Sequence, residues 1–234
     1  LSKEPRDEGK DFDGKSLTGE ASKVLMKVLY AARMARFDLL RAVGFLASHV
    51  TKWDELCDRR LYRLMCYIES TLHLRMVSWV GNEKQDLGPH LYADTDFAGD
   101  AATKRSTSGV FLSIMGSNTS APLSGLSKKQ TAVSHSTPEA EIVAADLGVR
   151  TEGIPALELW NVLLGRDLRI IFHEDNQAMI QVCKTGKNPT MRHLNRTHAV
   201  DVAWLHERFE AEDFKLRYEQ SEHMAADIFT KGFT

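Results

Sequence analysis

Four acids carry the chemistry that this sequence could perform: Asp94, Glu141, Asp175 and Asp227. Asp94 and Asp175 close apolar stretches that read as strands. Glu141 falls in the first turns of a helix opening at Ser136-Thr137-Pro138, and Asp227 lies in a short terminal helix. Each alone has an ordinary explanation, since acids favour turns at strand ends and the positive end of a helix. Gathered in one place they would offer hard oxygen ligands, the type that magnesium and manganese prefer. Three neighbours compete with them. Asp96 shares the strand face of Asp94. Glu139 and Glu141 are two residues apart on a helix and so point about 200° apart, which lets only one face a site. Strand alternation sends Glu174 and Asp175 to opposite faces.

The elements that must position these acids follow from patterning. Apolar residues at three- and four-residue steps predict one or two helices over Ala21–Val50, and Leu56, Leu61, Leu64, Met65 and Ile68 predict a helical stripe over Trp53–Leu72. Strand-like stretches follow at Leu74–Val80, Leu91–Asp94, Ser108–Ile114 and Ala121–Leu126. Thr137 is suited to cap the next helix and Pro138 to open it. Gly148, Gly153 and Pro155 predict a kink or restart near Pro155. A buried strand at Leu168–His173, helices at Asn176–Lys184 and Val200–Phe209, a strand at Phe214–Tyr218 and a short helix from His223 complete the order. The aromatic rings of Trp53, Trp79, Trp160 and Trp204 sit in apolar patterns and read as core. Strands in a run, then alternating with helices, indicate an α/β mixed sheet flanked by helices, whose sites lie at the carboxyl ends of strands. The turn-rich stretch Asn82–His90 marks a boundary, giving a flexible lead-in at 1–18, a helical segment at 19–88 and the α/β domain at 89–234.

Composition narrows the function classes. With 234 residues, 43% hydrophobic and 26% charged, the chain can bury a real core. A net charge of −2 gives no long-range field for a polyanion, so nucleic acid would have to meet local basic patches: Lys104 with Arg105, Lys128 with Lys129, and the stretch from Lys184 to Arg196. Three cysteines without a C-x-x-C pair argue against a disulfide framework and a cysteine-rich zinc site. No segment approaches the roughly 18 apolar residues of a membrane span, and the charged start lacks a signal-peptide core. The expectation is an intracellular protein, cytoplasmic or nuclear, with no membrane partner.

Five ordered motifs add a family. Tyr92-Ala93-Asp94-Thr95-Asp96-Phe97-Ala98-Gly99-Asp100 with Lys104-Arg105-Ser106-Thr107-Ser108-Gly109 resembles the start of the ribonuclease H domain of copia-type retrotransposon polyproteins. Ser127-Lys128-Lys129-Gln130, Ser136-Thr137-Pro138-Glu139-Ala140-Glu141, Asp175-Asn176-Gln177-Ala178 and Ala226-Asp227-Ile228-Phe229-Thr230-Lys231 follow in the family's order. Leu29-Tyr30-Ala31 and Arg36-Phe37-Asp38 resemble the connection that precedes this domain in the reverse transcriptase. The resemblance implies a ribonuclease H-like fold after a small helical connection segment, and an endonuclease that hydrolyses the RNA strand of RNA–DNA hybrids beside the rest of a reverse transcriptase polyprotein. It implies two magnesium ions, with manganese able to replace them, held by Asp94, Glu141, Asp175 and Asp227, with Asp94 shared. It favours Asp94 over Asp96 and Glu141 over Glu139. The residues expected to meet nucleic acid are Lys104, Arg105, Ser127, Lys128, Lys129, Gln130, Asn176, Gln177 and Arg196. The sequence departs from the family at Thr197-His198-Ala199, where Thr-Lys-His is common, and at Gly148, Gly153 and Pro155. Those departures favour the alternative, a catalytically inactive or domesticated scaffold or nucleic-acid-binding module.

Overall fold

Residues 16–232 are described in a computed structural model, and residues 1–15 of the expected lead-in fall outside them. The chain divides into two compact units between Met76 and Val77. The break precedes the stretch 82–90 because Trp79 and Val80 pair with a later strand and so join the second unit.

In the first unit the apolar steps resolve into α1 (Ala21–Ala35) and α2 (Leu40–Ala47), joined by a 3-10 turn at Phe37–Leu39. Leu25, Ala32, Leu40, Val43 and Leu46 are buried. α3 (Glu55–Ser70) starts at Asp54, whose carboxylate accepts from the Cys57 backbone N–H at 2.8 Å and satisfies a donor that the first helical turn leaves free. Its inward stripe is Cys57, Leu61 and Leu64, whereas Leu56 and Met65 are exposed. At 3.6 residues per turn those two lie about 80–100° to either side of the stripe. Arg36 donates to Asp38 Oδ2 and Thr71 Oγ1, each at 2.8 Å, and so ties α2's entry to the end of α3.

The second unit is a six-stranded sheet. β1 (Trp79–Val80) is all that remains of the strand expected at 74–80, and Trp79 on this edge is exposed rather than core. β2 (Gly88–Asp96), β3 (Thr107–Gly116) and β4 (Thr119–Lys129) form an antiparallel meander; β5 (Ile170–Glu174) and β6 (Phe214–Tyr218) run parallel to β2. The order across the sheet is β1-β4-β3-β2-β5-β6.

Between β4 and β5 run α4 (Thr137–Gly148), a π turn at Val149–Gly153 and α5 (Ile154–Leu164). Ser136, not Thr137, caps α4: its extended backbone is the N-cap conformation, and its hydroxyl accepts from the Glu139 N–H, while Thr137 is already helical. The expected kink near Pro155 takes the form of the π turn, because proline brings no N–H and its ring excludes an ordinary partner one turn earlier. Gly153 lets this helix approach the sheet: a Cβ there would stand 3.1 Å from Leu91 Cδ2 and 3.2 Å from the Phe214 ring. α6 (Gln177–Thr185), α7 (Leu194–Thr197) and α8 (Val202–Glu210) make the long crossover that parallel β5 and β6 require. Leu91, Ala93, Val110, Ile142, Val149, Ile170, Phe172 and Phe214 lie in the core between sheet and helices. The expected terminal helix is instead two 3-10 turns, Ser221–His223 and Ala225–Phe229, separated by extended backbone at Met224.

This is the ribonuclease H-like mixed sheet flanked by helices, with a helical segment before it. No helix among the described residues is long and apolar enough to cross a membrane.

Candidate metal centre

Asp94, Gly109 and Ser127 are partners in register across β2, β3 and β4, and all three receive the terminal turn. A Cβ on Gly109 would stand 2.7 Å from the Ala226 carbonyl oxygen and from Thr230 Cγ2, so only glycine admits the turn here. Ser127 Oγ donates to the Phe229 carbonyl at 2.6 Å. Thr230 Oγ1 donates to Asp94 Oδ2. The row of three residues thereby docks the segment that carries Asp227.

Asp94, Glu141 and Asp175 each offer a carboxylate oxygen, and the three oxygens lie within 4.8 Å of one another. Asp94 ends its strand, Asp175 follows β5 directly, and α4 brings Glu141 over the sheet. Asp175 Oδ2 accepts from Ser221 Oγ at 2.6 Å. Asp227 stands outside the group of three: Lys231 Nζ pairs with its Oδ2, while its Oδ1 is buried without a hydrogen-bond partner.

The electrostatics are those of a cluster short of positive charge. Burial raises the pKa of Asp94 to about 6, with the Thr230 hydrogen bond opposing and Asp227 and Asp175 reinforcing. Burial raises Glu141 well above the carboxylate range, and repulsion from Glu174, Asp94 and Asp175 adds to it. Glu174 is a member that sequence reasoning missed. Alternation does place it on the helix-covered face with Ile170 and Phe172, away from Asp175, and there it is completely buried, close enough to Glu141 of α4 and Cys183 of α6 to raise their pKa values. Its Oε1 accepts from the Asn176 N–H at 3.0 Å, its Oε2 has no partner, and burial raises its pKa strongly. The sequence signal was the pair Glu174-Asp175 itself: two acids ending a buried strand cannot both reach solvent.

These residues fit divalent metal. The donors are hard oxygens, they converge, and Glu141 Oε2 and Asp227 Oδ1 are buried acceptors without a protein donor.

The rivals are engaged elsewhere. Asp96 Oδ1 accepts from the Thr107 N–H and holds the turn after β2. Glu139 accepts from the His135 N–H at 3.1 Å and from His193 Nε2 at 3.1 Å. Cys183 is buried with its sulfur against Met179, so it does not join His193 and His198 as ligands. Among the expected nucleic-acid contacts, Lys104, Arg105, Lys128, Gln177 and Arg196 are exposed. Lys129 pairs with Asp100. Gln130 is buried, donating to Ser108 Oγ and the Ala140 carbonyl at 3.0 Å each, so it braces β3 against α4. Ser127 holds the terminal turn, and Asn176 caps α6 by accepting from the Met179 N–H at 2.9 Å.

No protein-family model matches the sequence. Among solved structures, that of LC11-RNase H1, isolated from compost by a metagenomic approach, matches 61% of this chain and 92% of its own length at 17% identity, with a TM-score of 0.35. So loose a superposition leaves the fold to the strand order and register above. Among curated proteins, the secreted RxLR effector protein 161 of Plasmopara viticola is 31% identical over 117 residues, 50% of this chain and 78% of that protein. On that identity and coverage, the chain belongs to the family of the Plasmopara viticola secreted RxLR effector protein 161.

Proposed function

We propose that the second unit is a metal-dependent ribonuclease H that hydrolyses the RNA strand of RNA–DNA hybrids, in the context of a copia-type reverse transcriptase polyprotein. The observation that carries this reading is the convergence of Asp94, Glu141 and Asp175 at the carboxyl ends of β2 and β5. Magnesium, or manganese in its place, supplies Lewis-acid activation of water and charge stabilisation at the scissile phosphate. The chain's own part is to hold and orient. Asp94, fixed by Thr230, and Asp175, fixed by Ser221, would hold the ions together with Glu141 and Asp227. The exposed Lys104, Arg105, Lys128, Gln177 and Arg196 meet the hybrid's backbone, where contacts act through counterion release. Three free cysteines support a reducing compartment, cytoplasm or nucleus.

A gel assay with labelled RNA–DNA hybrid, RNA duplex and DNA duplex tests this. The RNA of the hybrid is expected to be cut with magnesium or manganese and spared in chelator, and DNA duplex is expected to survive because hybrid shape and the 2′-hydroxyl are read. Equal cutting in chelator would refute it.

A second reading, an inactive ribonuclease H-fold module, is favoured by Lys231 seated on Asp227 and by kinship with a protein described as an effector. Under that reading no divalent ion stabilises the chain and no substrate is cut.

A further inference from the structure

The sheet carries a second constellation two residues before the acid cluster along β2 and β5. His90 on β2 and His173 on β5 meet on one face, with His90 Nδ1 2.9 Å from His173 Nε2. His173 Nδ1 lies 2.8 Å from Glu219 Oε2, just beyond β6. Tyr92 stacks on the His173 ring at 4.1 Å and an interplanar angle of 7°. His173 is 2% exposed and His90 half-buried. Parallel pairing sets this up. His90 is opposite Ile171 and Tyr92 opposite His173, so the three rings share a face; His173 is in turn opposite Arg217, two residues before Glu219.

Glu219 fixes the chemistry of the pair. A carboxylate accepts only, so His173 Nδ1 carries the proton and Nε2 presents its lone pair to His90. That is the arrangement in which a carboxylate orients a metal-bound histidine. Ligands about 2.1 Å from one ion stand about 3.0 Å apart at the right angles of tetragonal nickel and about 3.4 Å apart at the tetrahedral angles of zinc, so the two facing nitrogens, hydrogen-bonded at 2.9 Å, suit nickel as they stand and zinc after a small opening of the pair. Burial lowers His90 to about 4, so the ring is neutral at pH 7 and its Nδ1–H donates to His173 Nε2; an ion bound between the two rings takes the place of that hydrogen, with the His90 proton moving to Nε2. Arg217 is exposed and adds positive charge to this face, which Glu219 offsets. Ser113, opposite His90 on β3, is fully buried with its hydroxyl unpartnered.

We propose that His90 and His173 chelate one borderline transition-metal ion such as zinc or nickel, with Glu219 orienting His173, at a site separate from the carboxylate cluster. Imidazole nitrogens suit zinc, nickel and copper, whereas magnesium prefers oxygen, so the two sites select different ions. Solvent supplies the remaining ligands.

The test is calorimetric titration of nickel and of zinc into the metal-stripped full chain, with magnesium in excess to occupy the carboxylates. Wild type is expected to bind one equivalent. His90→Ala and His90→Gln are expected to abolish that binding; the two variants together guard against a misfolded one, and thermal unfolding checks each. Glu219→Gln is expected to weaken it about 10–100-fold, the usual loss when a histidine's carboxylate partner goes. His193→Ala, in the other histidine cluster, is expected to leave it unchanged. Binding that survives both folded His90 variants, or that disappears with His193→Ala, overturns the proposal. Hybrid cleavage in magnesium plays no part in this readout, so it fails or stands independently of the nuclease reading.

Discussion

α4 carries two buried acids two residues apart, Glu139 at 2% exposure and Glu141 at 3%, and they live in opposite surroundings. Glu139 is saturated. It accepts from the His135 N–H and His193 Nε2, and His198 Nε2 stands 3.5 Å away. The Ser136 hydroxyl accepts from the Glu139 backbone N–H while the Glu139 carboxylate accepts from the residue before the N-cap, and the His193 contact ties the α7 region to the start of α4. Glu141 Oε2 has no donor at all, and the charges nearest it are those of Glu174, Asp94 and Asp175. Burial is therefore common to an acid that braces the fold and to one proposed as a metal ligand. What separates them is partnership: the fold supplies positive or N–H partners to one and withholds them from the other.

Glu141→Gln is the sharpest way to break this comparison. Hybrid cleavage is expected to fall by orders of magnitude, because a ligand charge is lost. Metal-free thermal stability is expected to hold or rise, because repulsion among the remaining acids falls. A cleavage rate equal to wild type would remove Glu141 from the site. Glu139→Ala is expected to do the reverse. It strands the His135 N–H and His193 Nε2 and costs about 1–3 kcal/mol on denaturant unfolding, while manganese affinity of the folded fraction stays at the wild-type value. If Glu139→Ala instead abolishes metal binding with little loss of stability, the two roles are exchanged.

The same contrast predicts a pH dependence. Asp94, Glu141 and Glu174 have folded pKa values raised above the ordinary carboxylate value near 4. Between that value and the raised ones the folded chain binds more protons than the unfolded chain, so stability falls as pH rises. In chelator these acids pull the melting temperature down from about pH 4 through the Asp94 value of about 6 and on toward neutrality, while His90, lowered to about 4, and the lowered His173 and His198 push it up below the ordinary histidine value. The acids' share is read as a difference: Glu174→Gln is expected to gain stability over wild type as pH rises through this range, and a gap that stays constant with pH contradicts the unpartnered cluster.

The smallest effect concerns Lys231. Burial opposes its charge, but Asp227, Asp94 and Asp175 together raise its pKa, so its ammonium is the counter-charge nearest the acids. Lys231→Gln is expected to tighten magnesium binding several-fold, most at low salt, measured by calorimetry. Weaker binding in the variant would make Lys231 a helper of the site and not a competitor.

The sequence made some of this legible and concealed the rest for definite reasons. The meander and β5 were readable because strand periodicity and turn residues are local. Asp94, Glu141 and Asp175 were readable through ordered motifs. Glu174 was not: alternation gave its face correctly, but its complete burial depends on how the helices close over that face. The engagement of Gln130, Ser127 and Asn176 within the fold was hidden likewise, since their partners at Ala140, Phe229 and Met179 depend on how segments dock or a helix starts. Gly148 and Gly153 looked like flaws in a helix. In the fold they are contact points, with a Cβ on Gly148 coming within 3.3 Å of Val110.

Manganese titration of wild type and Asp175→Asn, followed by calorimetry beside the hybrid-cleavage rate, tests the central claim most directly. Wild type is expected to bind manganese saturably and to cut the hybrid. Asp175→Asn, folded and no less stable without metal, is expected to bind it at least about tenfold more weakly and to lose cleavage. Wild type that binds no manganese, or a variant that binds and cuts as wild type does, would contradict the account.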